Sequence, residues 1–239
     1  MQDSREPTIS IVIPVYNEEA MLRAAVVDLV DRLDPEGWHY EIILAENGST
    51  DGTGALCVEL SRRFAQLRSI HLNEPNYGKA LREGILDARG EIVICDEIDL
   101  CDTDFYGRAL TLLEESSVDF VVGSKTMTGA RDERPLYRRL GTRVINGLLR
   151  VSVGLQGTDT HGLKAFRRRP MAPIAEACLI DRDLFASELV IRAERAGVRI
   201  REIPVRVLER RPPSVGLAKR VPNVLTNLVK LFVAIRVKR

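Results

Sequence analysis

The sequence predicts a single α/β domain in which a largely parallel sheet is flanked by helices. Short β-branched apolar runs alternate with stretches of helical periodicity. Polar residues gather directly after several of the strands. In open parallel sheets that carboxyl edge is where ligands sit.

The elements follow in order. Ile9-Ser10-Ile11-Val12-Ile13 is β-branched and closed by Pro14, which reads as a buried parallel strand. Asn17 to Leu33 has helical spacing, with Asn17 placed to cap it. Tyr40 to Ala45 is a second strand, and Gly48-Ser49-Thr50-Asp51-Gly52 turns into a helix that runs to Phe64. Arg68 to Leu72 is a third strand and Lys79 to Ala88 a helix. Glu91 to Cys95 is a fourth strand that ends in carboxylates, Phe105 to Glu115 a helix, and Phe120 to Gly123 a fifth strand. Tyr137 to Leu149 again has helical character.

With 239 residues, the chain suffices for one substantial core and is short for two. A net charge of +1 gives no bias towards nucleic acid, and no nucleic-acid partner is expected. Cys57, Cys95, Cys101 and Cys178 form no CxxC pair, which argues against a structural zinc site or a disulfide scaffold. The first ten residues carry no apolar stretch, and no segment reaches the roughly 20 apolar residues that span a bilayer. The expected location is therefore the cytoplasm. After Glu209 no acidic residue follows, while Arg210, Arg211, Lys219, Arg220, Lys230, Arg236, Lys238 and Arg239 do. Val221, Val224, Leu225, Leu228, Leu231, Phe232 and Ile235 fall at steps of three and four, so this basic tail reads as an amphipathic helix. Such a helix fits either peripheral contact with the inner face of a membrane, or packing on the domain or on a second subunit.

Asp96, Glu97 and Asp99 directly follow an apolar strand. Carboxylates at i and i+2 at a strand end can turn to one hard cation, with phosphates and waters completing its shell. The same triplet also reads as a solvated loop that caps the next helix. Between Ser124 and Asn146 stand Lys125, Arg131, Arg134, Arg138, Arg139 and Arg143, which suit an anionic ligand or simply an exposed cationic helix.

Several ordered motifs resemble glycosyltransferase family 2, in particular its dolichol- or polyprenyl-phosphate mannose synthase group. They are Ile11-Val-Ile-Pro-Val-Tyr-Asn-Glu-Glu19, Glu46-Asn-Gly-Ser-Thr-Asp-Gly-Thr53, Asn76-Tyr-Gly-Lys-Ala-Leu81 with Gly84 and Gly90, and Glu97-Ile-Asp99 in place of a DxD motif. Asp159-Thr-His-Gly-Leu-Lys164 and Glu202-Ile-Pro-Val with Arg210 complete the set. The resemblance runs from Ile9 to about Arg210 and implies a GT-A, Rossmann-like fold with a mixed, mostly parallel sheet. It divides residues 1–210 into a nucleotide-sugar half, about 8–123, and an acceptor half, about 124–210, with 211–239 as the tail.

It further implies an inverting transfer of a hexose from a GDP- or UDP-sugar, with Mg²⁺ or Mn²⁺ held by Glu97 and Asp99. Pro14, Tyr16, Glu18, Glu46 and Asn47 then line the nucleoside site, while Lys79, Asp96, Glu97 and Arg210 face the donor. Arg131, Arg138, His161 and Glu188 fall on the acceptor side, where a polyprenyl or other lipid phosphate is expected. Asp99 and Asp159 are the candidate catalytic residues should the acceptor need a base. A soluble or protein-bound hydroxyl acceptor stays open, as does a silent nucleotide-sugar-binding protein. The second is motivated by Asn47 and Cys101, which depart from the family's Asp and Gln.

Overall fold

The computed structural model describes residues 6–115, 117–182, 184–207 and 217–236. Strands and helices alternate through β1 (Ile9–Val15), α1 (Glu19–Leu33), β2 (Tyr40–Asn47), α2 (Thr53–Arg63), β3 (Leu67–Leu72), α3 (Tyr77–Asp87), β4 (Ile92–Cys95), α4 (Thr103–Glu114) and β5 (Phe120–Ser124). Beyond them come β6 (Arg131–Asp132), α5 (Leu136–Val153), β7 (Lys164–Arg167), α6 (Arg168–Glu176), α7 (Phe185–Arg195), β8 (Ile200–Pro204), β9 (Arg206–Val207) and α8 (Leu217–Arg236).

Among the described residues the main sheet has seven strands in the order β3-β2-β1-β4-β7-β5-β8. β1 lies between β2 and β4, parallel to both, and every one of its residues is buried. That accounts for its almost wholly apolar sequence, in which Ser10 is the one polar residue, since a parallel strand covered on both faces has no solvent side. Ile11 and Ile13 join the core formed with α1 and α4, while Val12 faces the opposite core with Ile43, Phe120, Phe166 and Leu189. β7 runs antiparallel to β4 and β5, with Lys164 opposite both Cys95 and Val122.

Two sequence expectations are corrected. β1 continues through Pro14 to Val15 instead of closing at Pro14. Asn17 does not cap α1: it stands at φ +54°, and the N-cap position belongs to Glu18, whose side chain makes no capping bond. The left-handed backbone turns Asn17 towards the neighbouring loop, where its amide oxygen accepts from Thr50 N–H at 2.8 Å. Of the readings open for the tail, packing on the domain holds for Leu231 and Ile235, which join the core that contains Phe166 and Leu189, while the side chains of Val221, Val224 and Leu225 lie outside the described residues. Arg192 and Arg195 on α7 donate to the carbonyls of Ala234 and Ile235, placing cations in the last turn of α8. Among the described residues no helix is long and apolar enough to cross a membrane.

At the edge of the sheet where β1 and β2 begin, Glu41 ties three segments together. Its Oε1 accepts from Ser10 Oγ at 2.6 Å and Arg89 N–H at 2.8 Å, and its Oε2 from Arg68 Nε at 2.6 Å. Burial alone would raise this carboxyl, but the bonds from Arg68, Ser10 and Arg89 outweigh it and hold the pKa below the ordinary value. A depressed pKa contributes stability that is present above the unfolded value and lost as pH falls through the folded one. Glu41→Gln should therefore cost about 1–3 kcal/mol at neutral pH, as read by urea unfolding. The deficit should shrink as pH drops below the ordinary carboxylate range, and ligand affinity should stay unchanged.

Candidate functional site

The parallel strands deliver their carboxyl ends to one edge, and the reversal of β7 brings its first residue, Lys164, there too. The loops after β1 and β2 are laced to each other at that edge. Asn17 N–H donates to Ser49 Oγ at 3.0 Å, Glu18 N–H to Thr53 Oγ1 at 2.7 Å, and Gly52 N–H to Glu19 Oε2 at 2.9 Å. Asp51 Oδ1 in turn accepts from both the N–H and the hydroxyl of Thr53. Tyr16, exposed, stands on this paired turn, and Pro14 is buried beneath it.

Glu46 is buried, accepting from Ser49 N–H at 2.6 Å with His71 Nδ1 3.4 Å away. Asn47, also buried, accepts through Oδ1 from Asn76 N–H, and Asn76 Oδ1 accepts from Lys79 N–H at 3.1 Å to cap α3. The departure Asn47 thus has a structural partner: its side chain fixes the residue that starts α3. Gly78 is the second residue of α3, where a Cβ would come within 2.0 Å of the Asp181 carbonyl oxygen, so only glycine permits this approach. Lys79 has its Nζ 3.5 Å from Glu74, in a hollow of about 650 Å³ beside β3 that His71 also lines.

The three carboxylates after β4 separate into two kinds. Asp96 is buried: Oδ1 accepts from Glu97 N–H at 2.6 Å, and Oδ2 from Asp102 N–H at 3.1 Å and Tyr106 Oη at 2.6 Å. Instead of facing a donor, it braces the loop from Glu97 to Asp102. Burial pushes its pKa up to about 7 despite these three bonds, and the Glu97 charge adds to the rise. Cys101 completes the loop at φ +42°, its thiol buried and directed at the Ile98 carbonyl. Glu97 and Asp99 are the second kind. Glu97 is open to solvent on one side, Asp99 is half-buried, and neither carboxylate has a hydrogen bond or ion pair among the described residues.

Glu97 is held above the ordinary carboxylate range by the surrounding protein and by repulsion from Asp99, while the charges of Lys125, Lys164 and Arg138 pull it back down. These five groups therefore act on one another across the carboxyl edge. Lys164 is buried, donates through Nζ to the Gly162 carbonyl at 2.7 Å, and has its pKa lowered by burial to about 8. Tyr77, half-exposed at the start of α3, has its phenol driven up by surrounding protein and then by the Glu97 charge. It stays protonated and can donate a hydrogen bond.

The remaining candidates fall in different places. Asp159 is fully buried, with Oδ2 3.4 Å from Lys125 Nζ and Oδ1 accepting from His161 N–H at 3.0 Å. Burial works to raise its pKa, but Lys125 and these bonds bring it below the ordinary value. It anchors Lys125 and offers no surface to a substrate. His161 is half-buried, with Nδ1 3.0 Å from the Thr160 hydroxyl. Glu188 is fully buried and gives nothing to an acceptor: Oε2 accepts from Leu179 and Ile180 N–H, and Oε1 from Arg192 Nε at 2.7 Å. It clamps the segment that covers Gly78. Arg131 is exposed on β6, which pairs with β9 apart from the main sheet. Arg210 lies outside the described residues.

Tyr77, Lys125 and Lys164 stand in motifs or basic stretches visible in the sequence without a role attached to them. Lys164 joins the other two only because β7 runs backwards, which periodicity does not reveal. Two free carboxylates make a sparse donor set, and among the described residues no group of three or more His, Cys, Asp or Glu could hold a metal. Mg²⁺ and Mn²⁺ accept such a set when phosphates and waters supply the rest, so the hard oxygens of Glu97 and Asp99 fit.

Over residues 10–172 the sequence matches the family described as Glycosyl transferase family 2. Similar proteins include glycosyltransferase AglD of Haloferax volcanii, 28% identical over 82% of this chain and 32% of its own length. The dolichyl-phosphate beta-glucosyltransferase of Saccharomyces cerevisiae is 28% identical over 85% of this chain and 68% of its own. The undecaprenyl-phosphate 4-deoxy-4-formamido-L-arabinose transferase of Edwardsiella ictaluri is 30% identical over 92% and 66%. The chain thus spans about a third to two thirds of the length of these relatives. Among solved structures, glucosyl-3-phosphoglycerate synthase from Mycobacterium tuberculosis, in complex with Mn²⁺, uridine diphosphate and glucosyl-3-phosphoglycerate, superposes with a TM-score of 0.63 at 19% identity. The match covers 95% of this chain and 79% of that one.

Tyr106→Phe isolates the brace under the acidic loop. Losing the bond to Asp96 Oδ2 should cost about 1–2 kcal/mol in chemical denaturation and weaken nucleotide-sugar affinity by loosening Glu97 and Asp99. Unchanged stability and affinity would show that Asp96 does not position the loop.

Proposed function

The chain belongs to glycosyl transferase family 2, and from that premise we propose that it is a metal-dependent, inverting hexosyltransferase. Its donor is a nucleotide sugar and its acceptor a polyprenyl or similar lipid phosphate. One observation carries the reading: two carboxylates without a protein partner, Glu97 and Asp99, share the carboxyl edge with Lys125, Lys164 and Arg138. Such an arrangement suits a ligand that brings both a metal-bound diphosphate and a further anion.

The laced turn with Pro14, Tyr16, Glu18, Glu46 and Asn47 receives the nucleoside in this reading. Glu97 and Asp99 would hold Mg²⁺ or Mn²⁺, which when bound neutralises charge on the departing nucleoside diphosphate. Lys125, Lys164 and Arg138 attract and orient the acceptor phosphate, with Asp159 fixing the ammonium of Lys125. A phosphate oxygen is already ionised at neutral pH, so its in-line attack on the anomeric carbon needs no strong base. That agrees with the burial of Asp159, which leaves it unable to meet a substrate proton. Displacement from the face opposite the leaving group inverts the anomeric centre. The named relatives from yeast and Edwardsiella take dolichyl and undecaprenyl phosphate in their descriptions, and the mycobacterial neighbour holds Mn²⁺ with uridine diphosphate. These support the acceptor class and the metal respectively.

Purified protein incubated with labelled UDP- and GDP-sugars and a short prenyl phosphate, with and without Mn²⁺, tests the proposal. Transfer should require the metal, and full activity in excess EDTA would remove the metal from the mechanism. Asp99→Asn should abolish metal-stimulated donor binding in titration calorimetry. Arg138→Gln should leave donor affinity intact while raising the KM for the prenyl phosphate about tenfold, the loss of one charge-assisted contact.

A further inference from the structure

The segment between α5 and β7 gives four successive backbone N–H groups to two carboxylates. Glu194 on α7 accepts from Gln156 N–H at 3.1 Å and from Gly157 N–H at 2.9 Å. Glu202 on β8 accepts from Thr158 N–H at 2.7 Å, Asp159 N–H at 3.1 Å and the Thr158 hydroxyl at 2.9 Å. Successive N–H groups turned to one side make a concave seat for an anion, and here the chain's own carboxylates fill it. Both close over Gly157, where a Cβ would come within 2.9 Å of Glu202 Oε1 and 3.5 Å of Glu194 Oε1. Burial, and with it the Glu202 charge, hold the Glu194 carboxyl above its ordinary range. Two like charges set side by side work against each other, and the charge-assisted bonds offset that repulsion.

What this clasp holds reaches the cleft by two routes. Through a side chain, the buried carboxylate of Asp159 stands 3.4 Å from Lys125 Nζ and accepts from Lys125 N–H at 3.3 Å. Through Thr158, the carbonyl accepts from Thr126 Oγ1 and Asn146 Nδ2, each at 2.8 Å. The Thr158 hydroxyl gives its proton to Glu202 and accepts from Ser124 Oγ at 2.6 Å. Ser124, Lys125 and Thr126 are thus all fastened to the Thr158–Asp159 unit. Glu202 in turn belongs to the main sheet, where β8 pairs with β5 and sets it opposite Val122. The sheet fixes the carboxylate, the carboxylate fixes the loop, and the loop fixes Lys125.

We propose that Glu202, assisted by Glu194, is a positioning residue for the anionic acceptor: it acts on no substrate itself and sets where the Lys125 ammonium stands. The inference rests on the transferase reading, in which Lys125 meets the acceptor phosphate. An ammonium-to-phosphate contact is made only over a narrow range of distance, so a displacement of about 1 Å in its support weakens it steeply. The Glu202-Ile-Pro-Val motif thereby acquires a task that its own sequence does not show.

Steady-state transfer from a nucleotide sugar to a short prenyl phosphate, with Mn²⁺ present, tests the role. Glu202→Gln should raise the KM for the prenyl phosphate about tenfold, with kcat and the calorimetric donor affinity unchanged. Glu41→Gln controls for stability alone: it loosens the other edge of the sheet and should leave that KM where it was. In a Lys125→Met background, Glu202→Gln should add little, because both changes remove the same contact. Should Glu202→Gln fail to fold, Gly157→Ala carries the test. Its methyl displaces the Glu202 carboxylate, the free end of a side chain, and should raise the KM severalfold with a melt close to the wild type. An unmoved KM in Glu202→Gln, or in Gly157→Ala where that variant carries the test, overturns the proposal. So does an effect that adds in full to that of Lys125→Met, or one that falls on kcat or donor affinity instead. A wild type that neither transfers to the prenyl phosphate nor binds it in calorimetry removes the transferase reading, and this role with it. Transfer by the wild type with an unmoved KM in the variants removes the role alone.

Discussion

The direction of β7 is the constraint on which the site depends. β1, β2 and β4 are parallel and release their loops at one edge, whereas β7 enters the sheet from that edge and runs the other way. Its first residue, Lys164, is held opposite Cys95, directly before the acidic loop. The segment from Thr158 to His161 is drawn to the same place and pinned there by Glu202, which accepts from the backbone N–H groups of Thr158 and Asp159. With a parallel strand in that position, these residues would emerge on the far side of the sheet. Lys164 would then not meet the carboxylates.

Around that edge the carboxylates satisfied by protein donors are structural, and Glu97 and Asp99 are set apart from them. Asp96, Asp159, Glu188 and Glu202 each accept from two or more protein donors, and each fixes a loop or a neighbouring lysine. A carboxylate taken out of water must be satisfied in this way, because an unpaired buried charge costs several kcal/mol. Glu97 and Asp99 keep contact with water and can afford to wait for a ligand. The distinction separates residues of one chemical type within four positions of chain.

α5 and α8 relate the cleft to its surroundings. Both are free of acidic residues, and both show apolar side chains to solvent after their core-facing positions are filled. α8 closes over the core shared with α6 and α7 and so belongs to the domain, despite its separation in composition. What a basic amphipathic tail suggests on its own is accordingly divided: its inner stripe serves stability, and the larger free apolar row lies on α5.

The sequence by itself determined the alternation of strand and helix, the edge where chemistry gathers and the family, because each of these is written in local pattern or in ordered motifs. β-branched runs, the GSTDGT turn and the Glu97-Ile-Asp99 step need no distant partner to be read. Tertiary structure alone decided which acidic residues are free, since Asp96 and Glu97 are neighbouring carboxylates in sequence and one is buried while the other is exposed. It also decided that Glu188 supports Leu179 and Ile180 and that Asp159 holds Lys125. Burial is a property of packing between segments far apart in the chain, and no local pattern carries it. The exposed face of α5 escaped the sequence for the same reason: an apolar stripe announces that it will be covered, but not by what.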